Sequence, residues 1–303
     1  MKNPQTTNNM DYSKLLEKYP PTVSAADAAD IVAHARKSLP RNLNAEVCKF
    51  CFSALDLTTL SAADSEQSVA SFVERAVSVP VRFTEMPYVS SVCVYPSFVD
   101  VVGLGVEGTP VAVTSVAGGF PASQTFLEVK MLEVAMAVEN GADEIDVVMN
   151  VGNVLEAQYD RAANEIEMLR QEVGDELVLK VIIESGMYAD TEQLYRAAVL
   201  AILSGADFVK TSTGKAPCGG ATPEAVAVMC CALRDHYRMT GERAGIKIAG
   251  GVRTCEDAAL YYTIVKEVLG HEWLAPSLFR IGASAPLADA LIASVTGVQN
   301  ARL

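Results

Sequence analysis

Gly141-Ala142-Asp143-Glu144-Ile145-Asp146 and, 64 residues further on, Gly205-Ala206-Asp207-Phe208-Val209-Lys210 decide the fold. In each stretch a glycine closes a helical run, a β-rich run follows, and a polar residue stands five positions after the glycine. The offset equals two strand–helix units of about 32 residues each. The same alternation extends outward in both directions. Strand candidates are FSALDL (52–57), SSVCVY (90–95), VAVTSVA (111–117), EIDVVMN (144–150), LVLKVIIE (177–184), DFVKTS (207–212), GIKIAG (245–250) and LFRIGAS (278–284). Runs of helical period fall between and after them, at about 65–78, 97–104, 124–139, 156–172, 190–203, 223–239, 255–269 and 286–296. Eight such pairs over about 250 residues predict a (β/α)8 barrel, a TIM barrel of the α/β class. A doubly wound sheet is the competitor, but no G-x-G-x-x-G turn follows an early strand. Alternate strands of a barrel feed the same interior layer, so Asp146 on the fourth strand and Lys210 on the sixth should face each other. Burying either alone is expensive, which makes the pairing informative.

The rest of the chain bounds the function. It has 303 residues, half of them apolar and a fifth charged, with 37 acidic against 24 basic side chains and a formal charge of −13. Such a chain repels nucleic acid and anionic membrane surfaces unless its positive charge is locally concentrated. No apolar run reaches the ~18–20 residues of a membrane span, and MKNPQTTNNMDYSKLLEKYPP lacks the apolar core of a secretory signal. The expectation is a cytoplasmic protein with two parts, an N-terminal helical extension over 1–50 and the barrel over 51–303. Two helical patches lie in the extension, at about 11–18 and 24–39; Ser24 offers an N-cap, and Pro20-Pro21 and Pro40 punctuate. Seven cysteines without an export signal argue against a disulfide framework. Cys48 and Cys51 form a C-x-x-C with no second pair at zinc-site spacing, and His34, His236 and His271 stand far apart on polar helical stretches, so no metal site is expected. Cys230 and Cys231 sit inside a helical run and should pack.

Four lysines lie on or beside strands: Lys180, Lys210, Lys215 and Lys247. Lys210 and Lys247 belong to neighbouring strands, and the C-terminal ends of barrel strands carry the active site. Two ammonium groups held close disfavour each other's charge, which leaves one as an amine nucleophile toward a carbonyl. A lysine pKa near ~10.4 must then fall to ~7–8, a differential interaction of about 3–4.5 kcal/mol. Pairing of each lysine with a barrel carboxylate such as Asp146 or Glu184 is the alternative. Phosphate-binding elements follow the last three strands. Thr211-Ser212-Thr213-Gly214-Lys215 offers hydroxyls, a flexible backbone and a cation, Ala249-Gly250-Gly251 follows the seventh strand, and Gly282-Ala283-Ser284 ends the eighth.

Taken together, DFVKTSTGK (207–215), IKIAGGVRT (246–254), GADEIDVV (141–148), LKVIIESG (179–186) and FRIGAS (279–284) resemble the deoxyribose-phosphate aldolases, a class I aldolase family. LDLTTL (55–60), VCVYP (92–96) and VAGGFPASQT (116–125) resemble the family's first three strands. The likeness runs in order from about 50 to 295, and the extension resembles the longer, eukaryotic-type members. It implies reversible cleavage of 2-deoxy-D-ribose 5-phosphate to D-glyceraldehyde 3-phosphate and acetaldehyde through a Schiff base, with no cofactor and no metal. By the same resemblance Lys210 is the Schiff-base lysine, Lys247 the lysine that depresses its pKa, and Asp146 the acid/base group. Lys215, Gly250, Gly251, Gly282 and Ser284 match phosphate-site positions. Asp56, Thr58, Lys180 and Thr213 match the polar network around the site, and Cys93 a cysteine near the substrate aldehyde. The partners implied are small phosphorylated sugars and aldehydes, with a homo-oligomer, dimer or tetramer, typical of the family; no exposed stripe in the sequence decides between these.

Two departures stand out. Many members carry Ser-Ser where this chain has Ser284-Ala285, and some end in a tail whose terminal tyrosine enters the site, whereas this chain ends GVQNARL and its last tyrosine is Tyr262. Ala301-Arg302-Leu303 is also a small–basic–Leu triplet like a peroxisomal address, an alternative to the cytoplasm. The competing functions are another imine-forming barrel aldolase or transaldolase, and a non-catalytic phosphosugar-binding barrel.

Overall fold

The computed structural model describes residues 10–299 and 301–303; the first nine residues of the expected extension, and Asn300, lie outside them. Eight parallel strands close in chain order into a barrel, with β8 hydrogen-bonded back to β1. They are β1 (Leu55–Thr58), β2 (Ser91–Val94), β3 (Ala112–Ala117), β4 (Glu144–Val148), β5 (Val178–Ile182), β6 (Phe208–Lys210), β7 (Gly245–Ala249) and β8 (Phe279–Ala283). The helices α1 (Tyr12–Glu17), α2 (Ala25–Asn42) and α3 (Ala45–Ser53) precede β1. The outer ring is α4 (Glu66–Arg82), α5 (Val99–Val106), α6 (Leu127–Glu139), α7 (Val151–Leu155), α8 (Tyr159–Val173), α9 (Thr191–Leu203), α10 (Pro223–Thr240), α11 (Cys255–Leu269) and α12 (Ala285–Thr296). This is the (β/α)8 barrel that the alternating pattern predicts.

The strands alternate with period two, and the two faces differ in kind. Leu55, Leu57, Ile145, Val147, Leu179, Val181, Ile246, Ile248 and Ile281 point outward into one continuous apolar core between sheet and helices. The inward positions between them hold charge: Asp56, Glu144, Asp146, Lys180, Lys247 and Arg280, all buried. Branched apolar residues ordinarily fill this space. The carboxylates sit on β1 and β4, and the cations, Lys210 included, sit on β5 to β8.

Local chemistry explains the boundaries. Ser24, with Asp27, and Thr254, with Asp257, form capping boxes at the starts of α2 and α11, and Pro223 stands at the start of α10 behind Thr222. Residues 52 and 53, expected as the start of the first strand, instead finish α3, and Ala54 is its C-cap. Asn44 caps that helix by accepting from Val47 N, and Val47, Cys48, Cys51 and Phe52 make a single buried face; a short apolar run does not distinguish strand from buried helix. Pro40 and Pro80, expected to lie at or beyond helix ends, fall inside the last turns of α2 and α4. In α2 packing overrides the proline: Leu39 is buried, and Asn42 Nδ2 donates to Thr263 Oγ1 at 3.0 Å. The run at 156–172 is preceded by a separate short helix, α7, and Ala157, at φ 55°, divides it from α8.

The three leading helices form an outer layer against the ring. α1 packs on α8 and α9, α2 on α10 and α11, and α3 on α11 and α12. Tyr12 Oη donates to Glu167 at 2.6 Å, and Tyr12 N donates to Asp160 at 2.6 Å. His236, expected on a polar face, is buried and stacks on Tyr19 beneath this layer. Cys230 and Cys231 are buried in α10.

Candidate active site

The repeat that decides the fold also builds the site. Asp146 pairs in register with Lys180 across β4–β5, and Lys210 with Lys247 across β6–β7. Asp146 Oδ2 lies 2.7 Å from Lys210 Nζ and 2.6 Å from Lys247 Nζ, and its Oδ1 accepts from Lys180 at 3.0 Å. Lys247 Nζ also lies 2.6 Å from Asp56 Oδ2. Beneath them Lys180 Nζ reaches Glu144 Oε2 at 2.6 Å and Asp56 Oδ2 at 3.6 Å. Arg280 closes the bottom tier, with Nη1 2.6 Å from Asp56 Oδ1 and Nη2 2.8 Å from Glu144 Oε1. Thr114 Oγ1 adds a 2.8 Å bond to Glu144. The sealed cluster therefore contains four cations and three carboxylates.

A cavity of about 520 Å³ opens above this cluster at the C-terminal ends of β1 and β6 to β8. Lys210 is the only member of the cluster that lines it, among the described residues. Thr58, Thr213, Lys215, Gly250, Gly251, Gly282 and Ser284 line it too. Lys215 Nζ donates to Leu60 O at 2.6 Å, tying the β6 loop to the β1 loop. Thr213 is held from below: Glu184, a left-handed residue at φ 53°, accepts from Thr213 Oγ1 at 2.5 Å and from its N at 3.2 Å. Ser212 Oγ is buried without a hydrogen-bond partner among the described residues. Ser284 stands at the start of α12, its hydroxyl unused in capping; Pro286 has no N–H and Leu287 N donates to Ser284 O at 3.2 Å, so the Ser284 hydroxyl and the Ala285 N–H are what this helix start offers an anion. Gly250, at φ 89°, touches the β6 loop so closely that a Cβ would meet Gly220 Cα at 2.7 Å. Ala221 N donates to both Ala249 O and Gly250 O, locking the two loops together.

Electrostatics separates Lys210 from its neighbours. Burial pulls it below the ordinary lysine range, Asp146 opposes the fall and Lys247 adds to it. Burial acts on Lys247 as well, but Asp146 and Asp56 outweigh it and hold that lysine above its usual value. Lys180 is likewise raised against burial by Asp146, Glu144 and Asp56. Asp56, Glu144 and Asp146 fall below the carboxylate range although burial alone would raise them, because the lysines and Arg280 surround them. Burial raises the Cys93 thiol. Cys93 packs with Leu60 and Val116, beside Tyr95 and Phe120, in a small apolar cluster separate from the main core.

The site residues carried over from the family resemblance fall in one of these three places, cluster, cavity or apolar wall, whereas Glu184, named as a possible lysine partner, bonds Thr213 instead. Asp56 and Lys180 lie under the site rather than in the cavity. Glu144 and Arg280 escaped the sequence reading, although each stands two residues from a position it selected, Asp146 and Gly282, and period two puts such residues on one face. Arg253, inside IKIAGGVRT, also lines the cavity and was passed over. No group of three or more His, Cys, Asp or Glu among the described residues could hold a metal ion.

Comparison with known proteins agrees with this architecture. Residues 50–283 match the family described as DeoC/LacD family aldolase. The chain is 37% identical to the deoxyribose-phosphate aldolase of Homo sapiens, over 91% of this chain and 88% of that one. It is 39% identical to the enzyme of that name from Mus musculus, over 84% and 83%. Among solved structures, the tetrameric deoxyribose phosphate aldolase of Aeropyrum pernix superposes with a TM-score of 0.64 at 28% identity, covering 87% of this chain and 99% of its own.

Proposed function

The chain belongs to the DeoC/LacD family of aldolases, and from that premise we propose that Lys210 is the amine with which it cleaves 2-deoxy-D-ribose 5-phosphate, reversibly, into D-glyceraldehyde 3-phosphate and acetaldehyde. The observation that carries the assignment is that Lys210 alone among the interior cations reaches the cavity and is alone among the lysines of the cluster in being driven toward the neutral amine. The free amine adds to the C1 aldehyde, and loss of water gives a protonated imine. The C2–C3 bond then breaks, its electron pair enters the imine as an enamine, and the C3 hydroxyl gives up its proton as the new aldehyde forms. Asp146, ionised behind Lys210 and outside the cavity, takes that proton through a water in this reading. Protonation of the enamine and hydrolysis release acetaldehyde and restore the amine. Lys247 keeps its charge beside Asp146, and Asp56, Lys180 and Thr58 hold the frame. Cys93 and its apolar neighbours form an apolar wall on the β1–β3 side of the barrel.

Lys215, Arg253, Thr213, Gly250, Gly251, Gly282 and Ser284 offer the phosphate two cations, hydroxyls, open backbone and a helix N-terminus. That anchor is remote from the bond that breaks, so its binding energy can orient the substrate. Borohydride reduction in the presence of substrate, followed by peptide mass analysis, should place a two-carbon or five-carbon adduct on Lys210. Lys210→Ala should lose the adduct and lower turnover by roughly 10³-fold or more. Turnover of ketose phosphates in preference to deoxyribose phosphate would make the chain a transaldolase-like enzyme, and binding without any adduct would make it a non-catalytic barrel. EDTA should leave the activity unchanged.

Assembly and address belong to the same proposal. α6 exposes Val129, Leu132 and Met136 along one side, with its N-cap Phe126 at their end, a stripe that supports self-association; Leu132→Glu should reduce the mass read by light scattering. No helix of the described residues is long and apolar enough to cross a membrane, and the cytoplasm is the proposed location. Against the peroxisomal alternative stands the docking of the tripeptide: Ala301 and Leu303 are buried, Leu303 N donates to Asp289 Oδ1 at 2.6 Å, and Arg82 donates to Arg302 O at 2.7 Å. A receptor would first have to lift it off the barrel. Deleting the three residues should leave a cytoplasmic distribution unchanged in fluorescence microscopy.

A further inference from the structure

Arg280 and Glu144 touch neither the cavity nor Lys210. Their guanidinium and carboxylate meet at the bottom of the barrel, Nη2 to Oε1 at 2.8 Å and Nη1 to Oε2 at 3.1 Å. Both are buried, and nothing in the proposed reaction uses them. They are nevertheless linked to the amine by continuous ionic contact: Glu144 to Lys180, Lys180 to Asp146, and Asp146 to Lys210. A second path runs from Arg280 to Asp56, Lys247 and Asp146.

Apart from Lys210, which borders the cavity, the members of the cluster are buried away from solvent, so its own composition dominates its charge. With every group ionised, Lys180, Lys210, Lys247 and Arg280 exceed Asp56, Glu144 and Asp146 by one positive charge. A lone excess charge in a low-dielectric interior is costly, and the cheapest relief is loss of one proton. Arginine cannot release it. Lys180 lies within 3.6 Å of three carboxylates and Lys247 within 2.6 Å of two, whereas Lys210 pairs with Asp146 alone and borders the cavity, where a proton can leave.

We propose that the Arg280–Glu144 pair is a positioning device for the chemistry: neutral as a pair, it holds the cluster at the single surplus positive charge that Lys210 sheds, and loss of either member alone shifts that surplus by one charge, in opposite directions. This rests on the reading of Lys210 as the nucleophile. The groups that face this amine are Cys93 from β2, Asp146 from β4 and Lys247 from β7, with Asp56, Glu144, Lys180 and Arg280 behind them and Lys215 and Arg253 at the cavity rim. Removing an interior anion enlarges the surplus and makes the amine easier to free. Removing the distant cation abolishes the surplus and lets Lys210 keep its proton.

The test is the pH dependence of kcat/KM, whose acid limb reports the free amine. Glu144→Gln should move that limb to lower pH and Arg280→Gln to higher pH, each by about one unit. The double variant should return it to the wild-type position, as should Arg280→Lys, which keeps the charge. Limbs that stay in place, or that move in the same direction in both single variants, overturn the proposal; a purely structural role lowers activity without opposed shifts. If Arg280→Gln does not fold, Glu144→Gln decides alone, because its amide oxygen still accepts from Lys180 and Arg280. Borohydride labelling of the wild-type enzyme separates the two ideas: no adduct on Lys210 removes the nucleophile assignment itself, whereas an adduct with unmoved limbs removes only the role of the distant pair.

Discussion

Lys210 is the interior lysine that folding makes harder to protonate. Its folded-state pKa lies below the unfolded value, so the unfolded chain holds that proton more tightly. Between the folded value and ~10.4 stability therefore rises with pH, and at neutral pH the group works against the fold. Lys210→Met should abolish turnover and at the same time stabilise the protein by about 0.5–2 kcal/mol, read from urea unfolding at pH 7. Asp146→Asn should also lower turnover but destabilise the fold, because it removes the shared anionic acceptor of three buried lysines; a loss of about 3–5 kcal/mol is expected. At this scale the sequence was legible where a repeat gave two residues equivalent places. Asp146 and Lys210 could be paired by their distance from a glycine, and the period of two then puts Glu144 on the face of Asp146 and Arg280 on that of Gly282, but only the closed barrel brings those two side chains together.

Strands and helices were legible as alternation, and their ends were not. The apolar run at 52–57 mixes the last turn of α3 with β1, and only the closed hydrogen-bond pairing of Leu55 with Ile281 fixes where the strand begins. Pro40 and Pro80 mislead for a related reason: tertiary contacts carry a helix through a residue that local rules would use to stop it. The loops after β6 and β7 show what glycine does at the site. Gly220 and Gly250 meet backbone to backbone, and a Cβ on Gly220 would stand 2.1 Å from Gly250 O. Gly220→Ala should push the two loops apart and raise KM for the phosphorylated substrate about tenfold, with an unchanged acid limb in the pH profile, measured in steady-state assays. The sequence marked Gly250 as a phosphate contact; its tight partner across the loop pair depends on packing that a single chain does not advertise.

On the scale of the molecule, the depressed pKa values of Asp56, Glu144 and Asp146 set the response to acid. Carboxylates whose folded values lie below the unfolded ~3.9–4.3 contribute stability that is fully present above that range and is lost as pH falls through the folded values. Stability in urea should hold from neutrality to about pH 5 and then decline steadily as acid is added, with no loss of secondary structure by circular dichroism until well below pH 4. The leading helices add a separate contribution. Deleting residues 1–42 would uncover α10 and α11 and remove the Tyr12, Tyr19 and Asn42 contacts, so a lower Tm and concentration-dependent aggregation are expected in thermal scans.

The distribution of charge along the chain has a consequence for how such a barrel can be divided. Among the described residues, all three carboxylates of the cluster come from the first four strands and all four of its cations from the last four. A cut in the loop before β5 would give one fragment with an acidic inner surface and another with a basic one, neither able to close around its own like charges. Mixed together, the two pieces would attract each other at low salt and reassemble into a working whole, while two copies of either piece would repel. Swapping or duplicating halves, a ready way to make new barrels from old ones, is barred here by the sign of what each half carries.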